Sequence, residues 1–172
     1  VAPRARAFGM NVTVCDSVLD RQLADDMGCE GIEDFREALP KADVVTLHIP
    51  LDERNHHIMS TAEFEMMKPG GVLINCARGG VVDEAAMLAA LQSGQLGGAC
   101  LDVFSEEPPP HDDPVIAAIM ARDDVVLAPH AGAASYGAMR SMSVMATQNI
   151  LDCFDGKLNP DNIFNLGGLN GK

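Results

Sequence analysis

The stretch GGVLINCARGGVVD, residues 70–83, decides the interpretation of this chain. Its apolar run lies between glycines, and this pattern predicts a buried strand of a parallel sheet over residues 71–77. The strand leads into a tight corner that contains Arg78, and Asp83 then predicts the start of a helix. Arg78 thus follows the carboxyl end of a strand, where open α/β sheets bind their ligands. The alternative is a surface arginine in a turn, and the rest of the sequence bears on that choice.

Apolar strands alternate with helical segments on both sides of this stretch. The further predicted strands are 11–15, 43–49, 98–103 and 125–128. The predicted helices are 1–8, 18–27 (capped by Ser17), 33–40, 60–67, 84–91, 114–121 and 135–154. Such alternation predicts βαβ units and therefore an α/β fold, a doubly wound parallel sheet covered on both faces. The tail from Gly156 is predicted to be irregular, with the last six residues disordered.

Length and composition limit the possible classes of function. The 172 residues correspond to one domain, and 47% of them are hydrophobic, enough for a substantial core. A net charge of −13 argues against nucleic acid and anionic membranes as partners. We find no secretory signal pattern and no apolar run of membrane-spanning length.

The cysteines and methionines are interpreted as small or flexible apolar side chains. The five cysteines are an odd number without a C-x-x-C pair, which favours a reducing compartment and hence a cytoplasmic protein. Cys15, Cys76 and Cys100 fall within predicted strands and are expected to be buried. Methionines in predicted helices are expected to fill the core; these are Met66, Met67, Met139, Met142 and Met145.

Residues that could take part in binding or catalysis follow four of the predicted strands. They are Asp16, Arg78, the segment 102–107 and His130. Right-handed crossovers place all loops that follow parallel strands at one edge of the sheet. Independent surface charges would not be expected to fall so regularly at the carboxyl ends of strands. We therefore predict a functional site at this edge of the sheet.

Asp16 predicts the kind of cofactor. In a dinucleotide-binding fold, an acid at the end of such a strand accepts hydrogen bonds from the ribose hydroxyls of the adenosine. Ser17 and Val18 follow it, and no nearby arginine is expected to take a 2′-phosphate, so NAD is favoured over NADP. A simple helix cap is an equally weighted alternative for Asp16. The G-x-G-x-x-G loop of such folds is absent, and we expect that the chain is truncated upstream, which the encoding reading frame would test.

Four motifs together resemble one family. They are HIPL (48–51), KPGGVLINCARGGVVDE (68–84), LDVFSEEPPP (101–110) and APHAGA (128–133). In this order and at this spacing they resemble the D-isomer-specific 2-hydroxyacid dehydrogenases, which include phosphoglycerate, glycerate, lactate and glyoxylate/hydroxypyruvate enzymes.

The resemblance implies an incomplete Rossmann-type fold, with the first strand and the Gly-rich loop outside this chain. Residues 1–134 would be a partial NAD-binding domain, and residues 135–172 a C-terminal helix and tail that return toward a missing substrate domain. Two inner strand edges would then be unpaired. The fragment alone is therefore expected to be inactive, and purified residues 1–172 that oxidise NADH with hydroxypyruvate would contradict this.

Carried over by motif, the resemblance makes Arg78, Glu107 and His130 the catalytic residues. The planar guanidinium of Arg78 would bind the substrate carboxylate through two parallel hydrogen bonds. His130 would give a proton to the carbonyl oxygen or take it back, and the Glu107 carboxylate would favour the protonated imidazolium. The implied cofactor-binding residues are Asp16, His48, Ile49, Pro50, Cys76, Ala77, Arg78, Asp102, His130 and Gly132.

The function implied is NAD-dependent interconversion of a D-2-hydroxy acid and its 2-keto acid, in a homodimer. Two alternatives remain open, an NAD-sensing corepressor of the same fold and an inactive remnant. The small Ala131 and Ala133 leave the substrate preference open. His56, His57 and His111 are expected in solvated loops rather than at a metal, because no ligand set accompanies them.

Overall fold

A computed structural model describes residues 1–163, so the prediction of disorder for the last six residues lies outside the described range. The α-helices are α1 (Ala2–Ala7), α2 (Arg21–Asp26), α3 (Thr61–Met66), α4 (Glu84–Ser93), α5 (Pro114–Met120) and α6 (Tyr136–Phe154). The strands are β1 (Thr13–Cys15), β2 (Glu30–Ile32), β3 (Val44–Leu47), β4 (Gly71–Asn75), β5 (Leu96–Leu101) and β6 (Val125–Leu127). Short 3₁₀ turns occupy Phe35–Glu37, Gly79–Val81 and Pro160–Asn162.

Contacts between Cα atoms divide the chain into two units, Val1–Pro129 and His130–Lys172. The first unit contains all six strands of the described range, in two parallel sheets of order β1-β2 and β3-β4-β5-β6. The parallel α/β fold predicted from the sequence is thus confirmed. Among the described residues β1 pairs only with β2 and β3 only with β4.

The core of the first unit surrounds β4 and β5. Leu73 and Leu96 on these strands are almost fully buried, together with Phe64 of α3, Met87 of α4 and Ile119 of α5. Each such side chain contributes roughly 1.5–3 kcal/mol when it leaves water. The two central strands are therefore the most firmly held part of the unit, and the loops that follow them start from fixed points.

Three local predictions between residues 17 and 40 are wrong. The cap of α2 is Asp20, whose carboxylate accepts the Leu23 N–H at 2.9 Å, because Ser17 lies in the preceding loop. The strand β2 is missing from the predicted set, since its sequence Glu-Gly-Ile carries little β propensity and is ordered by pairing with β1. The predicted helix over residues 33–40 reduces to the 3₁₀ turn Phe35–Glu37.

The expectation that three of the cysteines are buried in strands is also wrong in part. All five cysteines lie in the described range and are free thiols, but Cys15 and Cys76 are exposed and Cys100 is only partly buried. Cys15 belongs to the open-edged sheet, and Cys76 lies one residue beyond the end of β4. Neither position is covered by a second layer, which burial requires.

The second unit consists, in its described part, of the helix α6 with its flanking residues. None of the α6 side chains is buried, and Met139, Met142 and Met145 are each more than half exposed. Of the helical methionines expected in the core, Met67 is buried whereas Met66 is exposed. Helical spacing shows which face needs a packing partner, but not whether the described residues supply one. Among residues 1–163 we find no helix with the length and hydropathy needed to cross a membrane.

Candidate active site

A buried asparagine orders the corner that carries Arg78. Asn75 ends β4 and is only 1% exposed. Its Oδ1 accepts the Ala77 N–H at 3.0 Å, and its Nδ2 donates to the Arg78 carbonyl at 3.1 Å. Each bond satisfies a polar atom that would be costly to bury alone, so this single side chain fixes the turn. No role is predicted for Asn75 from the sequence, although a polar residue at the end of an apolar strand is a usable signal.

Gly79 permits a close contact with the loop after β5. A Cβ atom at this position would lie 1.9 Å from the Phe104 carbonyl carbon, so the backbone at Phe104 and Ser105 packs directly on the glycine. The Ser105 N–H also donates to the Glu84 carboxylate at 2.8 Å. These contacts hold the Arg78 corner and the 102–107 segment against each other, and Gly79 and Glu84 are further positioning residues that the sequence analysis missed.

The strand register leads to the same juxtaposition. Asn75 of β4 pairs with Leu101 of β5, and the Asp102 N–H donates to the Asn75 carbonyl at 3.0 Å. The structure therefore brings Arg78, Asp102 and Glu107 to one edge of the four-stranded sheet, as the sequence predicts.

The side chains of Arg78 and Glu107 are exposed at this edge. One guanidinium nitrogen, Nη1 of Arg78, donates to the Ala77 carbonyl at 2.7 Å and so orients the group. The Glu107 carboxylate accepts the Phe104 N–H at 3.3 Å, which anchors it within its own loop. A guanidinium has five N–H donors in a planar fork, suited to a carboxylate ligand.

The predicted residues 48–50 follow β3, the next strand of the same sheet. Leu47 pairs with Asn75, so this segment leaves the sheet beside the Arg78 corner. His48 is exposed, and its Nε2 lies 2.9 Å from the Thr46 hydroxyl. Ile49 packs partly against the core, and the Pro50 carbonyl accepts the Asn55 amide at 2.6 Å. Of the other two predicted cofactor contacts in the first unit, Cys76 is exposed and Ala77 is buried.

Asp16 directly follows β1, which belongs to the two-stranded sheet and not to the four-stranded sheet that carries Arg78. It lines a depression of about 370 Å³ with Ser17, Leu19, Arg21 and Glu33. Ligand pockets typically measure about 300–1,000 Å³, so the depression has room for part of a small ligand. The expectation of no nearby arginine is wrong, because the first turn of α2 carries Arg21 into the same depression.

The electrostatics at this end of β1 are negative. The Cys15 thiol has a raised pKa, caused mainly by burial of the sulfur and also by the charges of Asp34 and Asp16, against a hydrogen bond from the Phe35 backbone. The thiol itself donates to the Glu33 carbonyl at 3.4 Å. The charges of Asp34 and Asp16 thus act against a further anion at this end of β1.

His130 and Gly132 belong to the second unit. The backbone of His130 has a φ of 50°, and within residues 1–163 only His57 shares a positive φ among non-glycine residues. Such conformations are uncommon and concentrate at functional sites. Both His130 and Gly132 are exposed, and a Cβ added at Gly132 would meet no atom within 4 Å.

The adjacent histidines of the 52–59 loop are stacked rather than arranged around an ion. The ring centroids of His56 and His57 are 3.9 Å apart, and His57 Nδ1 lies 4.0 Å from the Asp83 carboxylate. Throughout the described part of the chain, we find no group of three or more His, Cys, Asp or Glu side chains with the geometry of a metal site.

Asp83 has a supporting role at the start of α4. Its carboxylate accepts the Ala86 N–H and the Ser60 hydroxyl, each at 3.0 Å. Burial raises the pKa of Asp83, but the hydrogen bonds from Ala86, Ser60 and Ala85 and the charge of His57 outweigh it, and the net shift is downward. The carboxylate therefore fixes the helix that follows the Arg78 corner.

Comparison with known proteins identifies relatives over most of the chain. It is 37% identical over 169 residues to a D-3-phosphoglycerate dehydrogenase of Methanocaldococcus jannaschii, covering 98% of this chain and 31% of that protein. A solved glyoxylate reductase from Paecilomyes thermophila is 33% identical, with a TM-score of 0.82, covering 95% of this chain and 49% of that one. A solved D-lactate dehydrogenase from Aquifex aeolicus, complexed with NAD and lactic acid, is 30% identical with a TM-score of 0.81, covering 92% and 50%.

These comparisons confirm the Rossmann-type α/β fold. The chain spans about a third to a half of the length of the curated relatives that it matches. Residues 1–132 match the family model described as "D-isomer specific 2-hydroxyacid dehydrogenase, NAD binding domain". The chain therefore belongs to the D-isomer specific 2-hydroxyacid dehydrogenase family.

Proposed function

We propose that the protein is an NAD-dependent oxidoreductase that interconverts a D-2-hydroxy acid and its 2-keto acid. The observation that carries this proposal is the exposed guanidinium of Arg78, held at the carboxyl end of β4 by Asn75 and Gly79, in a chain that belongs to this family. Relatives named D-3-phosphoglycerate dehydrogenase and glyoxylate reductase support a small hydroxy or keto acid as substrate.

The residues at the end of β1 fit the adenosine end of NAD. Asp16 presents a carboxylate acceptor in a polar depression, and ribose hydroxyls are donors of matching chemistry. The backbone at Cys76 and Ala77, residues 48–50, Asp102 and Gly132 are proposed to line the remainder of the cofactor. When bound, NAD supplies or accepts the hydride of the reaction.

Three side chains are proposed to act on the substrate. Arg78 binds the carboxylate through parallel N–H···O bonds and polarises the adjacent carbonyl. His130 donates a proton to the carbonyl oxygen in reduction and removes it from the hydroxyl in oxidation. Glu107 favours the protonated imidazole. The uncommon backbone conformation of His130 and the anchoring of Glu107 by Phe104 N–H support residues with specific roles.

The organisation around this chemistry is also proposed. Residues 1–134 form the partial NAD-binding domain, and residues 135–172 lead back toward a substrate domain. We propose a homodimer, on the basis of the family resemblance. A cytoplasmic location is supported by the five free cysteines.

The proposal is tested by assaying the full-length protein with NADH and a panel of 2-keto acids, for wild type and Arg78 variants. We expect Arg78→Gln to lower kcat/KM by about 100-fold or more, since two charge-assisted hydrogen bonds contribute about 3 kcal/mol. Arg78→Lys keeps the charge but loses the fork, so it should retain intermediate activity.

The matched control is Arg4→Gln, which removes an exposed positive charge from α1. It should leave kcat/KM unchanged. Wild-type protein that reduces none of the keto acids, or Arg78→Gln protein with full activity, would contradict the proposal.

A further inference from the structure

Arg21 is the one positively charged side chain among the residues that line the depression at Asp16. Its guanidinium is already engaged, because each of its terminal nitrogens has a partner within the protein. Nη2 donates to the Glu33 carboxylate at 2.7 Å, and Nη1 donates to the Gly31 carbonyl at 3.3 Å. Glu33 and Gly31 therefore engage one donor on each of the two terminal nitrogens with which an arginine binds a phosphate.

The position of this pair bears on the choice between two cofactors. NADP differs from NAD by a phosphate on the ribose 2′-oxygen, and in dinucleotide-binding folds a nearby arginine accommodates that group. Here the arginine is present, but Glu33 neutralises it and adds a second carboxylate beside Asp16. A 2′-phosphate in this depression would meet two carboxylates and an arginine that is already engaged.

We propose that Glu33 is a specificity-determining residue, which excludes NADP by holding Arg21 and by its own negative charge. This inference rests on the proposed function, because it takes the depression as the adenosine ribose site. Selectivity then depends on a repulsive element as well as on the hydrogen bonds of Asp16, as is common where two similar ligands must be separated.

The exposure of the pair makes Arg21 easy to release. The side chains of Arg21 and Glu33 are 60% and 83% exposed, and exposed ion pairs contribute little to folding. Loss of the Glu33 charge should therefore weaken the hold on the guanidinium without disturbing β2 or α2. A phosphate is a stronger partner for it than the Gly31 carbonyl or the neutral amide oxygen of a glutamine at position 33, because bonds between two charged groups are stronger than bonds to a neutral acceptor.

The alternative is that the pair only braces the surface between α2 and the residues after β2. Both hypotheses predict that the Glu33→Gln variant folds. Only a role in cofactor selectivity predicts a change in cofactor preference that requires Arg21. The comparison of single and double variants therefore separates them.

The test is a fluorescence titration of the full-length protein with NADH and with NADPH. We expect Glu33→Gln to lower the Kd for NADPH by about five- to tenfold and to change the Kd for NADH less than about twofold. Glu33→Gln combined with Arg21→Ala should lose most of that gain. Glu65→Gln, which removes an exposed carboxylate from α3, is the charge-matched control and should leave both values unchanged.

The possible outcomes distinguish this inference from the proposed function. A wild-type protein that binds neither dinucleotide overturns the proposed function. A wild-type protein that binds NADH, with a Glu33→Gln variant no tighter for NADPH, overturns the inference alone. The inference is also overturned if the double variant keeps the full gain, because Arg21 would then have no part in it.

Discussion

The region that follows β4 and the region that follows β1 both carry charged residues, but the two regions are held in place by different kinds of contact. The Arg78 corner rests on a fully buried asparagine and on a glycine pressed against another backbone segment. The Asp16 depression is instead bordered by an exposed ion pair at the end of a two-stranded sheet. Position is fixed by burial in the first region, whereas in the second region we propose that surface charge adjusts the preference for a ligand.

This comparison has an energetic consequence. Substitutions of the buried residues that hold the Arg78 corner should alter stability and activity together, since disturbing buried packing and buried hydrogen bonds costs much free energy. Changes at the Asp16 depression should alter selectivity with little effect on stability, since exposed charges interact weakly.

The largest effect is expected from Gly79→Ala. The added methyl carbon would meet the Phe104 carbonyl carbon at 1.9 Å, so the 102–107 segment must move. We expect a loss of about 3 kcal/mol or more in the free energy of unfolding, and a fall of about 100-fold in kcat/KM from misplacement. Chemical denaturation and steady-state kinetics of the full-length protein measure both.

Gly137→Ala is the matched control for that substitution. Gly137 lies in α6, and an added Cβ would meet no atom within 4 Å. This change should be neutral or stabilise the protein by about 0.5–1 kcal/mol, as alanine does in helices. Equal losses in the two variants would contradict the special role of Gly79.

An intermediate effect is expected from Asp83, which caps α4 directly after the corner. Asp83→Ala removes the bond to the Ala86 N–H and should cost about 1 kcal/mol, whereas Asp83→Asn can still accept this bond and should cost less. Thermal denaturation at neutral pH gives the two values. The same cost in both variants would show that the charge, and not the cap, is what matters.

The lowered pKa of Asp83 also sets a pH dependence. A carboxylate whose folded pKa is depressed stabilises the protein above its ordinary value of about 3.9, and this contribution is lost as the pH falls through the folded value. Between about pH 5 and pH 3, wild type should therefore lose stability more steeply than Asp83→Asn. Parallel stability curves over that range would contradict this assignment.

The smallest effect on stability is expected at the Arg21–Glu33 pair. Glu33→Gln should change the free energy of unfolding by about 0.5 kcal/mol or less, because both side chains are mostly exposed. Thermal denaturation beside Glu65→Gln measures it. A loss as large as that of Gly79→Ala would remove the contrast between the two regions.

Much of the fold was predictable because it follows local rules. The apolar strands and several helices lie where glycines, prolines and capping residues predict their ends, as at Asp83. The edge that carries Arg78 and Glu107 was predictable from parallel topology alone.

What the sequence did not reveal depends on contacts distant in the chain. The strand β2 exists because it pairs with β1, and the packing of Gly79 depends on a loop 25 residues further on. The role of Asn75 depends on its two hydrogen bonds to the residues of the corner, which the sequence does not show. Arg21 was overlooked because it lies five residues from Asp16, and the intervening loop returns it to the same depression.

The exposed residues Cys15 and Cys76 have a practical consequence. One precedes Asp16 and the other follows β4, so each lies next to a residue that we assign to the cofactor. Alkylation of a cysteine proceeds through its thiolate, and the raised pKa of Cys15 makes that form scarcer near neutral pH. Two thiols that a mass spectrometer can distinguish by peptide thus serve as built-in chemical probes, and their protection by NADH would report occupancy at each region separately.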